Sequence, residues 1–216
     1  IKEAVAETSE ELMDKFFSGE DFTQEEIRKG LLQGVRTGAI APVFCGSAIT
    51  TEAINPLLNA IVTILPSAAD TAGEHLKTPG GDDLYLDCSA ADPLAAFVFK
   101  TVADPFVGKM SYVKVVAGKL TSSSNPTNVR AGVPERMGKI ITIRGKKQED
   151  TDGIPAGDIG VVCKLAEAVT GDSLCDPTRL VLFEKAPFPK PNLTMAIQLK
   201  GKGDEGKIAQ ALLRLM

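Results

Sequence analysis

The sequence predicts a multi-domain chain that begins as an α/β segment, continues as an antiparallel all-β barrel and ends with the first elements of an α+β domain. Apolar residues recur with the period of a helix before Pro66 and with the two-residue period of a strand after Leu94. The 216 residues include 20 glycines and 13 prolines, which favours turns and short strands over a helical bundle. Stretches at 66–93 and 187–191 that are rich in proline mark the two boundaries.

Two amphipathic helices open the chain. Thr8 precedes Glu11 by three residues and Thr23 precedes Glu26 by three, which is the spacing of the capping box at a helix N-terminus. An apolar stripe follows each box, and Gly38 ends the second helix. Because each helix has one apolar face, each needs a surface to cover.

Residues 39–45 form a short apolar run that predicts a buried strand. The small-residue turn Gly46-Ser47-Ala48 follows, and a helix is expected from about Thr51 until Pro66. A strand, a turn and a helix in this order are half of a βαβ unit, which belongs to a mostly parallel sheet. We therefore assign residues 1–66 to the end of an α/β domain.

The remaining boundaries follow from composition and period. Residues 67–93 are acidic and rich in proline and glycine, and we expect a linker there. Residues 94–186 contain short alternating strands separated by glycine turns, which predicts a closed antiparallel barrel. Residues 187–216 begin with a proline-dense run, continue as a strand at 193–199 and then as a helix capped by Asp204, and they predict the start of a further domain.

The single histidine narrows the chemistry that the chain can perform. Nucleophilic catalysis by a Ser–His or Cys–His pair, and any multi-histidine metal site, would have to use His75. The four cysteines form no C-x-x-C pair, and we expect reduced thiols and no metal site. No apolar run approaches the roughly 20 residues of a membrane span, and no signal peptide is expected. We therefore expect neither an enzyme in this chain alone nor a membrane partner.

Several runs of the sequence resemble one protein family, and they occur in the order which that family keeps. They are 41–48 (APVFCGSA), 104–109 (DPFVGK), 112–115 (YVKV), 135–140 (ERMGKI), 156–160 (AGDIG), 170–174 (TGDSL), 188–191 (FPKP) and 195–197 (MAI). The family is bacterial elongation factor G, a translational GTPase. Residues 1–40 are similar to the end of the insert in its G domain, and residues 144–149 are similar to its divergent, second-copy form. Because the chain begins at Ile1 and ends within a predicted helix, we expect a piece of a longer protein.

The resemblance implies the C-terminal remnant of a P-loop GTPase α/β domain, the translation-factor barrel called domain II, and the beginning of domain III. It implies that the whole protein binds GTP and Mg²⁺ and acts with the ribosome in GTP-dependent translocation during protein synthesis in the cytoplasm. Two alternatives stay open: a ribosomal-protection or release-factor-type GTPase, and a stand-alone RNA-binding β-barrel. The sequence lacks a phosphate loop and switch segments, so we expect this chain alone neither to bind GTP tightly nor to hydrolyse it.

The resemblance also assigns a candidate nucleotide site. Backbone N–H groups at Gly46, Ser47 and Ala48 would read the O6 atom of guanine, whereas the same turn outside this family would simply lead into a helix. Residues 201–207 fit G-x-x-x-x-G-K, but Ile208 lacks the hydroxyl that binds Mg²⁺, and two acidic residues inside the loop would repel phosphate. We therefore interpret that second run as a turn before a helix.

The basic residues of the barrel are the candidate RNA contacts. Lysine and arginine side chains neutralise phosphates, although the same run by itself would be an ordinary solvated strand edge. With the resemblance, we expect contact with ribosomal RNA of the small subunit and no contact with DNA. No stacked-aromatic pattern accompanies the basic residues, so base-specific reading is not expected. The candidates are Arg136, Lys139, Arg144, Lys146 and Lys147.

Overall fold

The computed structural model describes residues 1–71, 73–198 and 203–215, and the chain divides into two compact units between residues 72 and 73. The first unit is helical, and the second is mostly antiparallel sheet. Among the helices of the described residues, none has both the length and the hydropathy that crossing a membrane requires.

Four helices make up the first unit. They are α1 (Lys2–Ala6), α2 (Glu10–Phe17), α3 (Gln24–Thr37) and α4 (Ile54–Ile64). Helix α1 packs against α2 and α3, and α4 packs against α3. A Cβ atom on Gly30 of α3 would lie 2.6 Å from the Cγ1 atom of Val5, so glycine permits the close approach of α3 to α1. Val5, Ala6 and Phe22 form the small buried core of these helices.

Helix α3 has the capping box that the sequence predicts. The Thr23 side chain accepts a hydrogen bond from the Glu26 N–H at 3.2 Å, and the Glu26 carboxylate accepts one from the Thr23 N–H at 2.6 Å. Hydrogen bonds from Lys15 and Thr23 lower the pKa of Glu26 to about 2. Gly38 ends the helix with a left-handed φ of 77°, as predicted.

The capping box predicted for α2 is wrong. The cap is Ser9, whose side chain accepts a hydrogen bond from the Leu12 N–H at 3.3 Å. The Thr8 hydroxyl instead donates to the Val5 carbonyl at 2.7 Å. Thr8 makes this hydrogen bond because it directly follows α1, a one-turn helix that the sequence pattern did not predict.

The strand predicted at residues 39–45 is not formed. The described part of the first unit contains no strand, and Val43 and Phe44 are 87% and 46% exposed. A parallel strand needs neighbouring strands for its backbone hydrogen bonds, and this unit offers none within its described residues. Helix α4 also begins later than expected, at Ile54, because Thr51 and Ala53 have left-handed φ angles of 59° and 60°.

The described residues of the second unit contain twelve strands. They are β1 (Glu74–Lys77), β2 (Asp83–Leu86), β3 (Ala95–Asp104), β4 (Gly108–Ala117), β5 (Lys119–Thr121), β6 (Thr127–Asn128), β7 (Val133–Pro134), β8 (Ile140–Arg144), β9 (Lys147–Asp150), β10 (Gly153–Pro155), β11 (Ile159–Cys163) and β12 (Ser173–Cys175). Eight of them form one antiparallel sheet in the order β7-β6-β12-β3-β4-β11-β8-β9. Strand β5 pairs with β10, and β1 pairs with β2, both in antiparallel fashion.

One apolar core joins the large sheet to the β5–β10 pair. Val98 and Val113 come from β3 and β4, Leu120 from β5 and Ile154 from β10, and all four are buried in the same cluster. Alternating residues of β3 and β4 point into this core, as the two-residue period predicts. The antiparallel barrel predicted from the sequence is confirmed.

Residues 67–93, where we expected a linker, include the β1–β2 hairpin. Leu76 and Leu86 are 7% and 1% exposed, and they pack with Val116 of β4 in a second buried cluster. Three of the residues that suggested a linker, Pro79, Gly80 and Gly81, lie in the turn between the two strands. The apolar residues of the strands themselves are few, which is why composition alone concealed the hairpin.

The segment after the barrel is only partly as expected. Residues 193–198 of the strand predicted at 193–199 form no strand, and Leu193 and Met195 are 75% and 78% exposed, while residue 199 lies outside the described residues. The predicted helix is present as α5 (Glu205–Leu215), directly after Asp204. Residues 201 and 202 of the G-x-x-x-x-G-K run also lie outside the described residues.

Candidate functional site

The turn at Gly46, Ser47 and Ala48 is held by its own hydrogen bonds. The Ser47 N–H donates to the Glu52 carbonyl at 3.1 Å, and the Ser47 hydroxyl accepts from the Thr50 N–H at 3.2 Å. A Cβ atom on Gly46 would lie 2.9 Å from the Glu52 carbonyl oxygen, so glycine lets the chain close this turn.

One backbone donor of this turn is therefore already used. The Ser47 N–H is bonded inside the turn, whereas the Ala48 N–H has no acceptor among the described residues. Val43 and Ile49, on either side of the turn, are 87% and 95% exposed and offer apolar surface. Because the Gly46 N–H also has no acceptor among the described residues, the turn can present two N–H donors beside apolar side chains, which suits the edge of a base.

The structure separates the five basic candidates into two groups. Lys139 directly precedes β8, whereas Arg144 ends β8 and Lys146 lies in the turn that follows. At about 3.3 Å per residue, the two ends of this stretch are roughly 17 Å apart. The candidates therefore cannot form a single patch, although the sequence run suggested one.

The first group forms the tip of the β8–β9 hairpin. Arg144 pairs with Glu149, and its guanidinium lies 2.6 and 2.7 Å from the two carboxylate oxygens. Lys146 and Lys147 are exposed and have no ion-pair partner among the described residues. Gly145 has a φ of 61° at the first position of a two-residue turn, which keeps this hairpin tight. The tip thus offers two ammonium groups to an anionic partner.

The second group lies at the opposite end of the sheet and includes lysines that the sequence did not single out. The Lys164 N–H donates to the Lys109 carbonyl at 2.7 Å, and the Cys163 N–H donates to the Lys139 carbonyl at 2.9 Å. The three lysines therefore lie beside one another at the ends of β4, β11 and β8. They are far apart in the chain, and only the strand order brings them together. Arg136 is exposed three residues before Lys139.

One exposed aromatic ring lies at the same end of the sheet as these lysines. Phe106 is 97% exposed at the tip of the β3–β4 hairpin. The Asp104 carboxylate accepts hydrogen bonds from the N–H groups of Phe106 and Val107, both at 2.8 Å, and these bonds lower the pKa of Asp104. Ala103 pairs with Lys109 in the register of this hairpin, so Phe106 lies at the same end of the sheet as that lysine. We call Phe106, Lys109, Lys139 and Lys164 the barrel-end cluster.

A buried polar network connects two loops of the barrel unit. The Asp172 side chain is fully buried and accepts hydrogen bonds from Arg130 at 2.7 Å, Asn128 at 2.9 Å and the Val169 N–H at 3.0 Å. Burial alone raises the pKa of Asp172, but these bonds more than offset that effect and the pKa lies below its usual value. The network ties residues 127–131 to residues 167–172.

Glu135 makes the second connection of this kind. It is 1% exposed, and its two carboxylate oxygens accept hydrogen bonds from the N–H groups of Ala166 and Glu167 at 3.1 and 2.8 Å. Three residues later, a Cβ atom on Gly138 would clash with the Cys163 carbonyl oxygen. The run 135–140, noted in the sequence as a family motif, therefore fixes the backbone that carries Lys139.

The cysteines and the single histidine, whose side chains are chemically reactive, lie outside these two groups. All four cysteines are free, and Cys163 and Cys175 are buried. Burial raises the pKa of the Cys175 thiol to about 11, which disfavours the reactive thiolate. His75 packs edge-on against Tyr85, with the ring centres 4.9 Å apart. Within the described ranges, no three side chains of His, Cys, Asp or Glu meet in a way that could hold a metal ion.

Residues 93–177 match the family model described as elongation factor G domain 2, over the segment that forms β3 to β12. The barrel therefore has the fold of a translation-factor domain II. A crystal structure of a Thermus thermophilus protein matches 99% of this chain with a TM-score of 0.78 and 29% sequence identity. This chain covers 30% of that protein and so spans less than a third of the length of the protein it matches.

Proposed function

We propose that this chain is a segment of an elongation-factor-G-like translational GTPase that acts on the ribosome in GTP-dependent translocation in the cytoplasm. The match of residues 93–177 supports the family, and the likeness to the Thermus protein along the whole chain supports a parent with further domains. Arg144 and Lys139 at the ends of β8 are paired with Glu149 and Asp150. The observation that carries ribosome contact is therefore the two exposed lysines at the hairpin tip, Lys146 and Lys147, which have no ion-pair partner among the described residues, on a chain whose net charge is −4. Local positive charge on an acidic chain favours binding to RNA phosphates.

In the parent protein, GTP and Mg²⁺ would supply the phosphate chemistry, and this chain would contribute one edge of the guanine pocket. The Ala48 N–H would donate to the O6 atom of guanine, because the Ser47 N–H is held by Glu52. Apolar contact from Val43 or Ile49 would shield that hydrogen bond from water. The described residues therefore fit the base in part and offer no cradle for the phosphates.

GTP binding by this chain alone tests the nucleotide part of the proposal. We expect no tight, stoichiometric binding in isothermal titration calorimetry with GTP and Mg²⁺, because one amide hydrogen bond contributes only about 1 kcal/mol. Guanosine, which has no phosphates, is the control and should give the same weak or undetectable heat as GTP. Tight and saturable binding of GTP, but not of guanosine, would show that this chain holds phosphate-binding residues and would contradict the proposal.

Charge reversal at the hairpin tip tests the ribosome contact. We expect Lys146→Glu combined with Lys147→Glu to weaken binding to small ribosomal subunits about tenfold and to reduce the slope of log affinity against log salt by about 1.4–1.8, because two phosphate contacts are lost. Sedimentation with purified subunits at several salt concentrations measures both quantities. The matched control, Lys77→Glu with Lys119→Glu, changes the net charge equally at exposed sites outside both groups and should leave the slope unchanged.

The barrel-end cluster is tested in the same assay by Phe106→Ala. Stacking of one base on an aromatic ring contributes about 1–3 kcal/mol, so we expect about a tenfold loss of affinity with an unchanged salt slope. Phe106→Tyr keeps a flat ring and should restore most of the affinity. If the hairpin-tip double variant and Phe106→Ala both bind as well as the unaltered chain, the barrel does not contact RNA through either end.

A further inference from the structure

A groove lies beside β1, on the side of the barrel that the hairpin β1–β2 covers. Its volume is about 270 Å³, and it is lined by residues of β1, β3 and β4 and by Phe183 and Glu184. The Leu182 N–H donates to the Lys77 carbonyl at 2.7 Å, and this single bridge is where residues after β12 meet β1. The groove opens beyond the bridge, where the two segments no longer pair.

The floor of the groove is apolar and largely aromatic. The rings of Phe97 and Phe183 lie with their centres 5.4 Å apart and their planes at 35°. Leu76 and Val116 are buried beside them. The Phe183 N–H donates to the Ser173 hydroxyl at 3.0 Å, which anchors that ring against the sheet. A flat or apolar group in the groove would therefore meet preformed ring surface.

The rim of the groove is charged and not neutral. Lys114 pairs with Glu74 at 3.3 Å, so these two charges offset each other. Glu184 is exposed and has no cationic partner in the part of the chain that the structure describes. One carboxylate without a counter-charge among the described residues thus lines the same groove as two aromatic rings. This combination attracts a cation that also has an apolar or planar part.

We propose that this groove binds an arginine side chain presented by a partner polypeptide. The guanidinium group would pair with the Glu184 carboxylate and stack on the rings of Phe97 and Phe183. Arginine suits the site because its guanidinium is planar, weakly hydrated and stacks on aromatic rings, whereas an ammonium group is compact and strongly hydrated. A volume of about 270 Å³ accommodates one side chain and is smaller than most pockets for drug-sized ligands. The groove's own residues carry this inference, which does not depend on a role in translation.

Short peptides test the groove with the full 216-residue chain. The probe is acetyl-Gly-Arg-Gly-amide, titrated into ¹⁵N-labelled protein while backbone amide resonances are followed by NMR. We expect saturable shifts confined to residues around β1, Phe97 and Phe183. The same peptide with citrulline, which keeps the shape but removes the charge, should bind at least about fivefold more weakly. A lysine peptide should also bind more weakly, because it lacks the planar group.

A conservative variant ties the binding to Glu184. Glu184→Gln keeps the size of an exposed side chain and should weaken the binding of the arginine peptide about fivefold. The matched control is Glu205→Gln on α5, which changes the net charge equally and should leave the affinity unchanged. The proposal is overturned if no localised shifts occur, if citrulline or a leucine peptide binds as tightly as arginine, if lysine binds equally well, or if Glu184→Gln has no effect.

Discussion

Replacing Asp172 with alanine should lower the free energy of unfolding of the barrel unit by about 2–3 kcal/mol, less than the cost of breaking a fully buried ion pair because its partner Arg130 is 43% exposed. Its fully buried carboxylate accepts hydrogen bonds from Arg130, Asn128 and the Val169 N–H, and alanine leaves these donors without their acceptor. Urea denaturation followed by tyrosine fluorescence measures the effect. Both tyrosines, Tyr85 and Tyr112, lie in the barrel unit, so the signal reports that unit alone.

A control variant and the pH dependence distinguish the loss of the buried Asp172 carboxylate from the effect of replacing an exposed aspartate. Asp152→Ala, at an exposed position, should change the free energy of unfolding by no more than about 0.5 kcal/mol. Because the pKa of Asp172 is lowered by folding, its contribution is complete above the unfolded pKa of about 3.8 and is lost as the pH falls through the lower folded value. The difference between the unaltered chain and Asp172→Ala should therefore shrink in strong acid. A difference below about 1 kcal/mol at neutral pH would contradict the role assigned to the network.

Gly118→Ala should destabilise the barrel unit by about 3 kcal/mol or prevent its folding. Gly118 connects β4 to β5 with a left-handed φ of 76°, which costs an alanine about 1–2 kcal/mol. A Cβ atom there would also lie 2.7 Å from the Asp92 carbonyl oxygen and 2.8 Å from the Leu94 nitrogen. Both contacts are with backbone, so the chain entering β3 would have to move. The same urea denaturation by tyrosine fluorescence measures the loss.

Gly132→Ala is the matched control for the steric part of this effect. Gly132 has a similar φ of 69°, but a Cβ atom there would meet nothing within 4 Å. We expect it to cost only the conformational penalty, about 1–2 kcal/mol. Equal losses for the two variants would mean that the approach of Gly118 to the segment entering β3 contributes nothing to stability.

Local signals in the sequence predicted the local features of the fold. The capping box of α3 and its end at Gly38 depend on residues within one turn of each other, and both are confirmed. The two-residue period of β3 and β4 likewise predicted the barrel strands. The strand expected at 39–45 failed because a strand depends on partners elsewhere, which an apolar run does not specify.

Among the candidate RNA contacts, too, those close together in the sequence were predicted, and those brought together by the strand order were not. The hairpin tip with Lys146 and Lys147 is contiguous in the sequence and could be proposed from it. The barrel-end cluster joins residues 106, 109, 139 and 164 through the order of β4, β11 and β8, which no local pattern encodes. Its aromatic member was missed because a phenylalanine in a strand-rich segment is usually a core residue, whereas Phe106 lies at a hairpin tip.

If both proposed RNA contacts form, the hairpin tip and the barrel-end cluster would act as two anchor points about 17 Å apart on one sheet. Two points would fix the domain's orientation on RNA, whereas a single point would leave it free to rotate. When one contact dissociated, the other would keep it near its target at high effective concentration, so the pair would bind through avidity although each contact alone is weak.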